Sequence, residues 1–432
     1  MNIKLKLRLN FLVILLCIFS FIPINSKAFL QKLFSQQAII FVPGVMESGL
    51  FYTGVTDGVF SHNENLWLPL SFRKGLIKRS LSGLNKFSNN YSLLGLDDYG
   101  EPINNVFGVH SVGSFPYVYD EEISKYGVRT HTKALIDNIA NLEEFTNWDI
   151  IFNNYDWRID PDVASERLAN LIRTYEKVVL IGFSYGGLIS SKAAVNLYNT
   201  GELQRIDKYV SIGVPYKGSV DSLIALEQGL SISTFQKKIF NVLHLTAKTR
   251  ELIKNFRACY QLLPSKQFFN NSKYYVSYQN KKINGYQNTI DLLKTREYAI
   301  RTDKTIKDFF EKSQQFYDSL YINNAHILHK LNYHIIVGTG IKTLATINIK
   351  SAKLGDVTPV IYESGDGRVL LNKSAILDKN IDAKKIFRFK ERHPKLISNY
   401  SIIKNIIKFI SYNPEANPAD SSRIITNVVN TA

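Results

Sequence analysis

Val178-Val-Leu-Ile-Gly-Phe-Ser-Tyr-Gly-Gly-Leu-Ile-Ser190 reads as a hydrophobic strand that runs into Gly182-x-Ser184-x-Gly186 and then into a helix. Glycine on either side lets the chain turn sharply and pass close to neighbouring elements, so that Ser184 projects its hydroxyl above the end of a sheet. Gly187, Ser190, Ser191, Ala193 and Ala194 then keep the helix small enough for close packing. A serine hydroxyl is a weak nucleophile at neutral pH and needs a neighbouring base. The same spacing also occurs in ordinary turns, so its meaning depends on the rest of the chain.

Other short apolar runs flank this one: Gln37-Ala-Ile-Ile-Phe-Val42, Asp149-Ile-Ile-Phe-Asn153, Tyr209-Val-Ser-Ile-Gly213, Tyr333-His-Ile-Ile-Val-Gly338, Val360-Ile-Tyr362 and Lys385-Ile-Phe-Arg-Phe389. Helical patterns lie between several of them. Residues 130–144 place Leu135, Ile139 and Leu142 on one side, while 161–175 open with a proline at the first helical position and repeat Val163, Leu168, Leu171 and Ile172. This alternation predicts an α/β protein with a mostly parallel sheet and helices on both faces. The regularity lapses over about 50–128 and about 216–332, stretches too long for structureless loops in a compact domain. They are expected to form a lid-bearing insertion and a mainly helical cap.

The chain has 432 residues, 45% of them hydrophobic and 21% charged, a composition that excludes disorder as its main state. Lys4, Lys6 and Arg8, the uncharged run from Phe11 to Ile22 and Ser26-Lys27-Ala28 read as a signal peptide over residues 1–28. The expected organisation is therefore an exported α/β domain at 29–413 carrying both insertions, with an irregular tail at 414–432. Cleavage after Ala28 would leave Cys259 as the one cysteine, so no internal disulfide could form. It would also lower the formal charge from +16 to +12 by removing Lys4, Lys6, Arg8 and Lys27. The basic residues are dispersed and accompany no nucleic-acid-binding motif, which favours an anionic membrane surface as partner over nucleic acid. Export predicts periplasmic or extracellular residence, with peripheral association at a membrane.

Downstream of Ser184, Gly365-Asp366-Gly367 follows one apolar run and His393 follows another, in Lys390-Glu-Arg-His393. The order Ser, Asp, His is the one expected of a nucleophile-elbow α/β hydrolase, with Asp366 orienting the imidazole and His393 taking the Ser184 proton. Asp356 and Asp382 are rival acids without the same setting. At the exit of the first run, the backbone N–H of Val45 or Met46 could join that of Tyr185 in facing a developing oxyanion. The eight histidines form no compact metal-ligand spacing, so neither metal nor cofactor is expected.

The combination resembles the lecithin:cholesterol acyltransferase family within the α/β-hydrolase fold. The likeness runs through Phe41-Val-Pro-Gly44 with Ser48-Gly49-Leu50, Tyr155-Asp-Trp-Arg158, the Ser184 elbow, Ile212-Gly-Val-Pro-Tyr-Lys-Gly-Ser219, Gly365-Asp-Gly367 and His393. It implies Ser184 as nucleophile, Asp366 as acid and His393 as base of a metal-independent acyl transfer from a phospholipid or other lipid ester to water or a lipid alcohol. Phe183 departs from the family's histidine, and Val214, Tyr216 and Lys217 vary its next motif. Trp157 is read as edge packing, with Asp156 and Arg158 tying loops together and Arg158 as a head-group contact in the alternative. Trp67 heads the lipid-facing candidates in the aromatic stretch 51–76. A noncatalytic lipid-binding or structural protein that retains a hydrolase scaffold is the competing class.

Overall fold

The computed structural model describes residues 36–48, 50–56, 59–67, 94–102, 106–108, 130–229, 250–300, 308–377 and 380–411. The signal peptide read at 1–28, the side chains of the aromatic stretch 51–76, Trp67 included, and the tail 414–432 lie outside the described residues.

In chain order, β1 (Gln37–Val42) is followed by a three-stranded antiparallel ribbon of β2 (Leu50–Thr56), β3 (Val59–Trp67) and β4 (Val106–Gly108), with β2 in the middle. Then come α1 (Thr130–Ala140), β5 (Asp149–Phe152), α2 (Pro161–Arg173), β6 (Lys177–Phe183), α3 (Tyr185–Asn199) and β7 (Ile206–Ile212). The next region contains α4 (Asp221–Gln228), α5 (Arg257–Gln261), β8 (Val276–Tyr278), β9 (Lys281–Ile283), α6 (Tyr286–Lys294), α7 (Phe309–Ser319) and the short hairpin β10 (Tyr321–Ile322) and β11 (Ala325–His326). The chain closes with β12 (Tyr333–Gly338), β13 (Ile341–Ile349), β14 (Val357–Gly365), β15 (Ile386–Phe389) and α8 (Tyr400–Ser411).

Six strands form one parallel sheet in the order β15-β12-β7-β6-β1-β5. Its strands are nearly continuous in apolar residues because both faces are covered. Alternation sorts them: Ala38, Ile40, Val42, Val178 and Leu180 join the cluster that includes Leu168 and Ile172 of α2 and Leu188 and Ile189 of α3. Ile39, Phe41, Val179, Ile181 and Phe183 pack with Leu135 and Ile139 of α1 and Ile402, Ile403 and Ile406 of α8. Helix α2 begins where Asp160 accepts from the Asp162 N–H and Pro161 occupies the first turn. Val163, read from the sequence as part of its buried side, is exposed instead; Ala164, Leu168, Ala169 and Ile172 carry that face.

The run Val360-Ile-Tyr362 corrects a second expectation. It belongs to β14, which pairs antiparallel with β13 in a separate sheet ordered β14-β13-β8-β9. Short apolar runs of this kind report strand tendency but not which sheet they join. The region read as a helical cap therefore carries strands as well as α4 to α7, and its β8 and β9 extend the sheet that leads to Asp366. Inside it, Arg296 holds Glu227 through two hydrogen bonds of 2.8 Å, both side chains being buried. Arg296 also donates to the carbonyls of Ser351, Ala352 and Lys353. A buried charge stays in place only when so fully bonded.

Candidate active site

Ser184 sits between β6 and α3 with φ 53° and ψ −125°, a conformation that costs a non-glycine residue on the order of 1–3 kcal/mol. The surroundings hold it there. Its N–H donates to Ile212 O at 2.8 Å, which ties the turn to the end of β7. A methyl added at Gly186 would collide with the carbonyls of Val42 and Pro43, and one at Gly187 with the Val214 side chain. Glycine at 186 thus lets α3 start directly against the exit of β1, and glycine at 187 lets it pack on the segment after β7.

Two further side chains, remote in sequence, complete a row. His393 Nε2 lies 2.9 Å from Ser184 Oγ, and His393 Nδ1 lies 2.7 Å from Asp366 Oδ2. The other Asp366 oxygen, Oδ1, accepts from the N–H groups of Arg368 at 2.8 Å and Val369 at 2.7 Å. The His393 N–H donates to Asp366 O at 2.8 Å, so the two loops are joined by backbone as well as side chain. Asp366 follows β14, and Gly338 at the end of β12 leaves the space its Cβ occupies. All three side chains are buried or nearly so. The Phe183 ring packs 5.0 Å from the His393 imidazole.

The rival acids stand elsewhere: Asp382 caps a short helical turn through the Lys384 N–H, and Asp356 accepts from the Ser351 hydroxyl at 2.7 Å. Of the other histidines, His326 caps the turn at Leu328 and His334 is stacked on Phe387.

Val45 and Met46 lie in the turn after β1, next to Gly44, whose backbone closely approaches Ser184, and Met46 is in the left-handed region at φ 64°. The Tyr185 N–H opens α3, where first-turn amides have no partner within the helix. No hydrogen bond between described residues uses the N–H of Val45 or Tyr185. The Tyr155 hydroxyl donates to Pro43 O at 2.8 Å and its N–H to Ser48 Oγ at 3.3 Å, which anchors this turn to the end of β5. Burial, assisted by the charge of Glu47, pushes the Tyr155 phenol well above its ordinary range, so it stays a neutral donor.

Arg158 is fully buried. Its Nε and Nη2 donate to the two oxygens of Asp156 at 2.9 and 2.6 Å, and its Nη1 donates to Leu94 O at 2.7 Å. The Arg257 N–H donates to Arg158 O, and Trp157 meets Phe256 edge to face at 5.7 Å. The quartet therefore lashes the ends of β5, the 94–102 segment and α5 together.

Sequence reading alone missed four contributors: the Tyr155 hydroxyl, Gly338, Asp221 and Arg368. Arg368 Nη1 donates to Asp221 Oδ2 at 2.8 Å, and Ser219 Oγ donates to Arg368 O at 2.6 Å. The turn that carries Asp366 is thus tied to the start of α4. Burial pushes the Asp221 carboxyl up, against the pull of Arg368 and of His393 nearby. The position of Arg368 two residues after Asp366 was the available clue, but its partner lies 147 residues away. Among the described residues no group of three or more His, Cys, Asp or Glu side chains could hold a metal ion.

A parallel sheet with helices on both faces, with a strained serine turn between β6 and α3, gives the chain an α/β-hydrolase architecture. The sequence profile of lecithin:cholesterol acyltransferase matches residues 63–334, and the chain belongs to that family of lipid-acting hydrolases and acyltransferases. The match includes Ser184 and ends before Asp366 and His393. No curated protein sequence matches the chain. Among solved structures, the chain is similar to one from the crystal structure of the Tle4-Tli4 complex. The two are 12% identical over 87% of this chain and 99% of that one, with a TM-score of 0.56, a likeness of fold. The mature lipase BlEst2 of Bacillus licheniformis is 15% identical over 61% of this chain and 79% of its own, with a TM-score of 0.33.

Proposed function

We propose that this protein is a serine-dependent lipid acyl-ester hydrolase or acyltransferase that works through an acyl-enzyme on Ser184. The observation that carries the reading is the continuous row from Ser184 Oγ through the His393 imidazole to Asp366 at 2.9 and 2.7 Å. His393 Nε2 takes the hydroxyl proton as Ser184 Oγ attacks the ester carbon. Asp366 holds the Nδ1–H tautomer and stabilises the imidazolium that forms. Charge on the carbonyl oxygen is met by the backbone N–H groups of Tyr185 and of Val45 or Met46. Collapse expels the alcohol, which receives the proton from His393 and leaves the acyl group on Ser184. Water or a lipid alcohol then takes up the acyl group by the same steps in reverse order.

Arg158 acts as a structural tie, since its guanidinium is committed to Asp156 and Leu94 O. The substrate class is a phospholipid or other lipid ester, met at the surface of a membrane after export. Among the described residues no helix is long and apolar enough to cross one. Incubating the purified protein with mixed diacylglycerophospholipids, with and without a hydrophobic alcohol, and identifying the products by mass spectrometry tests the reading. Free fatty acid or a new ester is expected. Unchanged lipids in both mixtures would overturn it.

A further inference from the structure

Strand β14 lies at the edge of its sheet, and edge strands are normally guarded by charge, by proline or by a covering element. Pro359 guards this edge against pairing with another strand, but from Thr358 to Tyr362 it carries no charge, and Pro359, Val360, Ile361 and Tyr362 are all exposed. Val360 is 53%, Ile361 37% and Tyr362 51% exposed. The pairing of β14 with β13 is irregular here, with Val360 left out of the register between Pro359 and Ile361, and at this bulge all three side chains meet solvent. Of the seven large hydrophobic residues exposed among the described residues, the other four are scattered singly. Single exposed side chains are ordinary, whereas a contiguous apolar strip marks an interaction surface.

The charges around the strip decide its partner. Lys342 lies across from Ser364, diagonal to Tyr362 and within reach of it. Lys390 packs along Gly340 at the same end of the sheet, and Lys350 and Lys353 are exposed at the other end, next to Val357. Beside the strand, Glu363 is paired with Lys373 at 2.5 Å, while Asp356, held by the Ser351 hydroxyl, offsets one of the two charges of Lys350 and Lys353. An apolar strip framed by lysines at both ends matches an anionic lipid surface, into whose head-group region the apolar side chains dip while the long cationic chains spread along it. The strand also leads straight to the candidate site, since Tyr362 is four residues, about 13 Å of extended chain, from Asp366.

We infer that the exposed edge of β14, with its flanking lysines, docks the protein on anionic lipid surfaces and thereby presents the Ser184 site to substrate, an inference that rests on the proposed lipid-ester reading. The test measures binding separately from turnover. Sedimentation with vesicles of phosphatidylcholine, with and without phosphatidylglycerol, is compared for the wild type, for the triple variant Val360→Asn, Ile361→Asn and Tyr362→Asn, and for Lys342→Glu with Lys350→Glu. Hydrolysis of a short, soluble acyl ester is followed alongside.

The wild type is expected to bind the phosphatidylglycerol vesicles, with both variants weakened by about tenfold or more and turnover of the soluble ester unchanged. Equal binding by the wild type and the triple variant would overturn the docking surface. So would lipid-independent self-association of the wild type that the triple variant loses, which would make a second copy the occupant. If the soluble ester is inert while the binding differences persist, the catalytic reading fails and the docking surface stands.

Discussion

The most informative single substitution is Asp366→Asn, because the structure dictates how the new amide must sit. Oδ1 of Asp366 accepts from two backbone N–H groups, at 2.8 Å from Arg368 and 2.7 Å from Val369. An asparagine keeps those bonds only by leaving its carbonyl oxygen there, which turns its NH2 toward His393 Nδ1 in place of the carboxylate now 2.7 Å away. Nδ1 must then accept, so the imidazole proton moves to Nε2, the atom 2.9 Å from Ser184 Oγ. A protonated Nε2 cannot take the serine proton. The charge that would stabilise the imidazolium is lost as well.

In serine hydrolases with this geometry the wrong tautomer costs roughly 10⁴ in kcat, equivalent to about 5.5 kcal/mol of barrier. Fold stability should change little, since the two backbone bonds survive. Stopped-flow release of a chromogenic alcohol from a short acyl ester isolates the acylation phase, with circular dichroism confirming the fold. Acylation within tenfold of wild type would remove Asp366 as the acid.

Three further outcomes follow from the same structure. Gly186→Ala drives a methyl into the Val42 and Pro43 carbonyls and should destabilise the protein by about 1–3 kcal/mol or more while depressing turnover; an unchanged melting temperature would contradict the packing described. Arg368→Gln loses a half-exposed pair with Asp221, worth about 1 kcal/mol at most, so kcat should fall about fivefold or less with KM unaltered, and a hundredfold loss would mean a direct role. His334, stacked on Phe387, has its pKa lowered by burial from 6.5 to about 4. The unfolded chain therefore binds the proton first, and stability is lost as pH falls from about 6.5 to about 4, by at most roughly 3 kcal/mol from this group. Denaturant unfolding at pH 7 and pH 4.5 should show a smaller drop for His334→Phe than for the wild type; equal drops would refute the assignment.

What could be read from the chain divides by distance in sequence. The turn at Ser184 is local: seven residues of strand, glycine at 182 and 186 and a small-residue helix determine it together, and it stands where the string places it. The six parallel strands were legible because a sheet covered on both faces needs unbroken apolar runs. Val360-Ile-Tyr362 has the same composition for a different reason, and nothing in its periodicity distinguishes an exposed edge from a buried strand. The nearness of Asp366 and His393 to Ser184 came from chain order and family likeness. Their contacts span 27 and 209 residues, beyond any local rule. Tyr155 on Pro43 and Arg368 on Asp221 were hidden for the same reason, since each bond exists only once the fold brings separate loops together.

If Ser184 forms an acyl-enzyme, a fluorophosphonate must react with it. Because the probe mimics the tetrahedral intermediate, it requires an activated serine together with a site that stabilises the phosphonyl oxygen. After incubation, intact mass and peptide mapping of the wild type should show one adduct, located on Ser184, with none on folded Ser184→Ala and little on His393→Ala. A wild-type protein that remains unlabelled, or a Ser184→Ala variant labelled to the same extent, would mean that Ser184 is not the nucleophile.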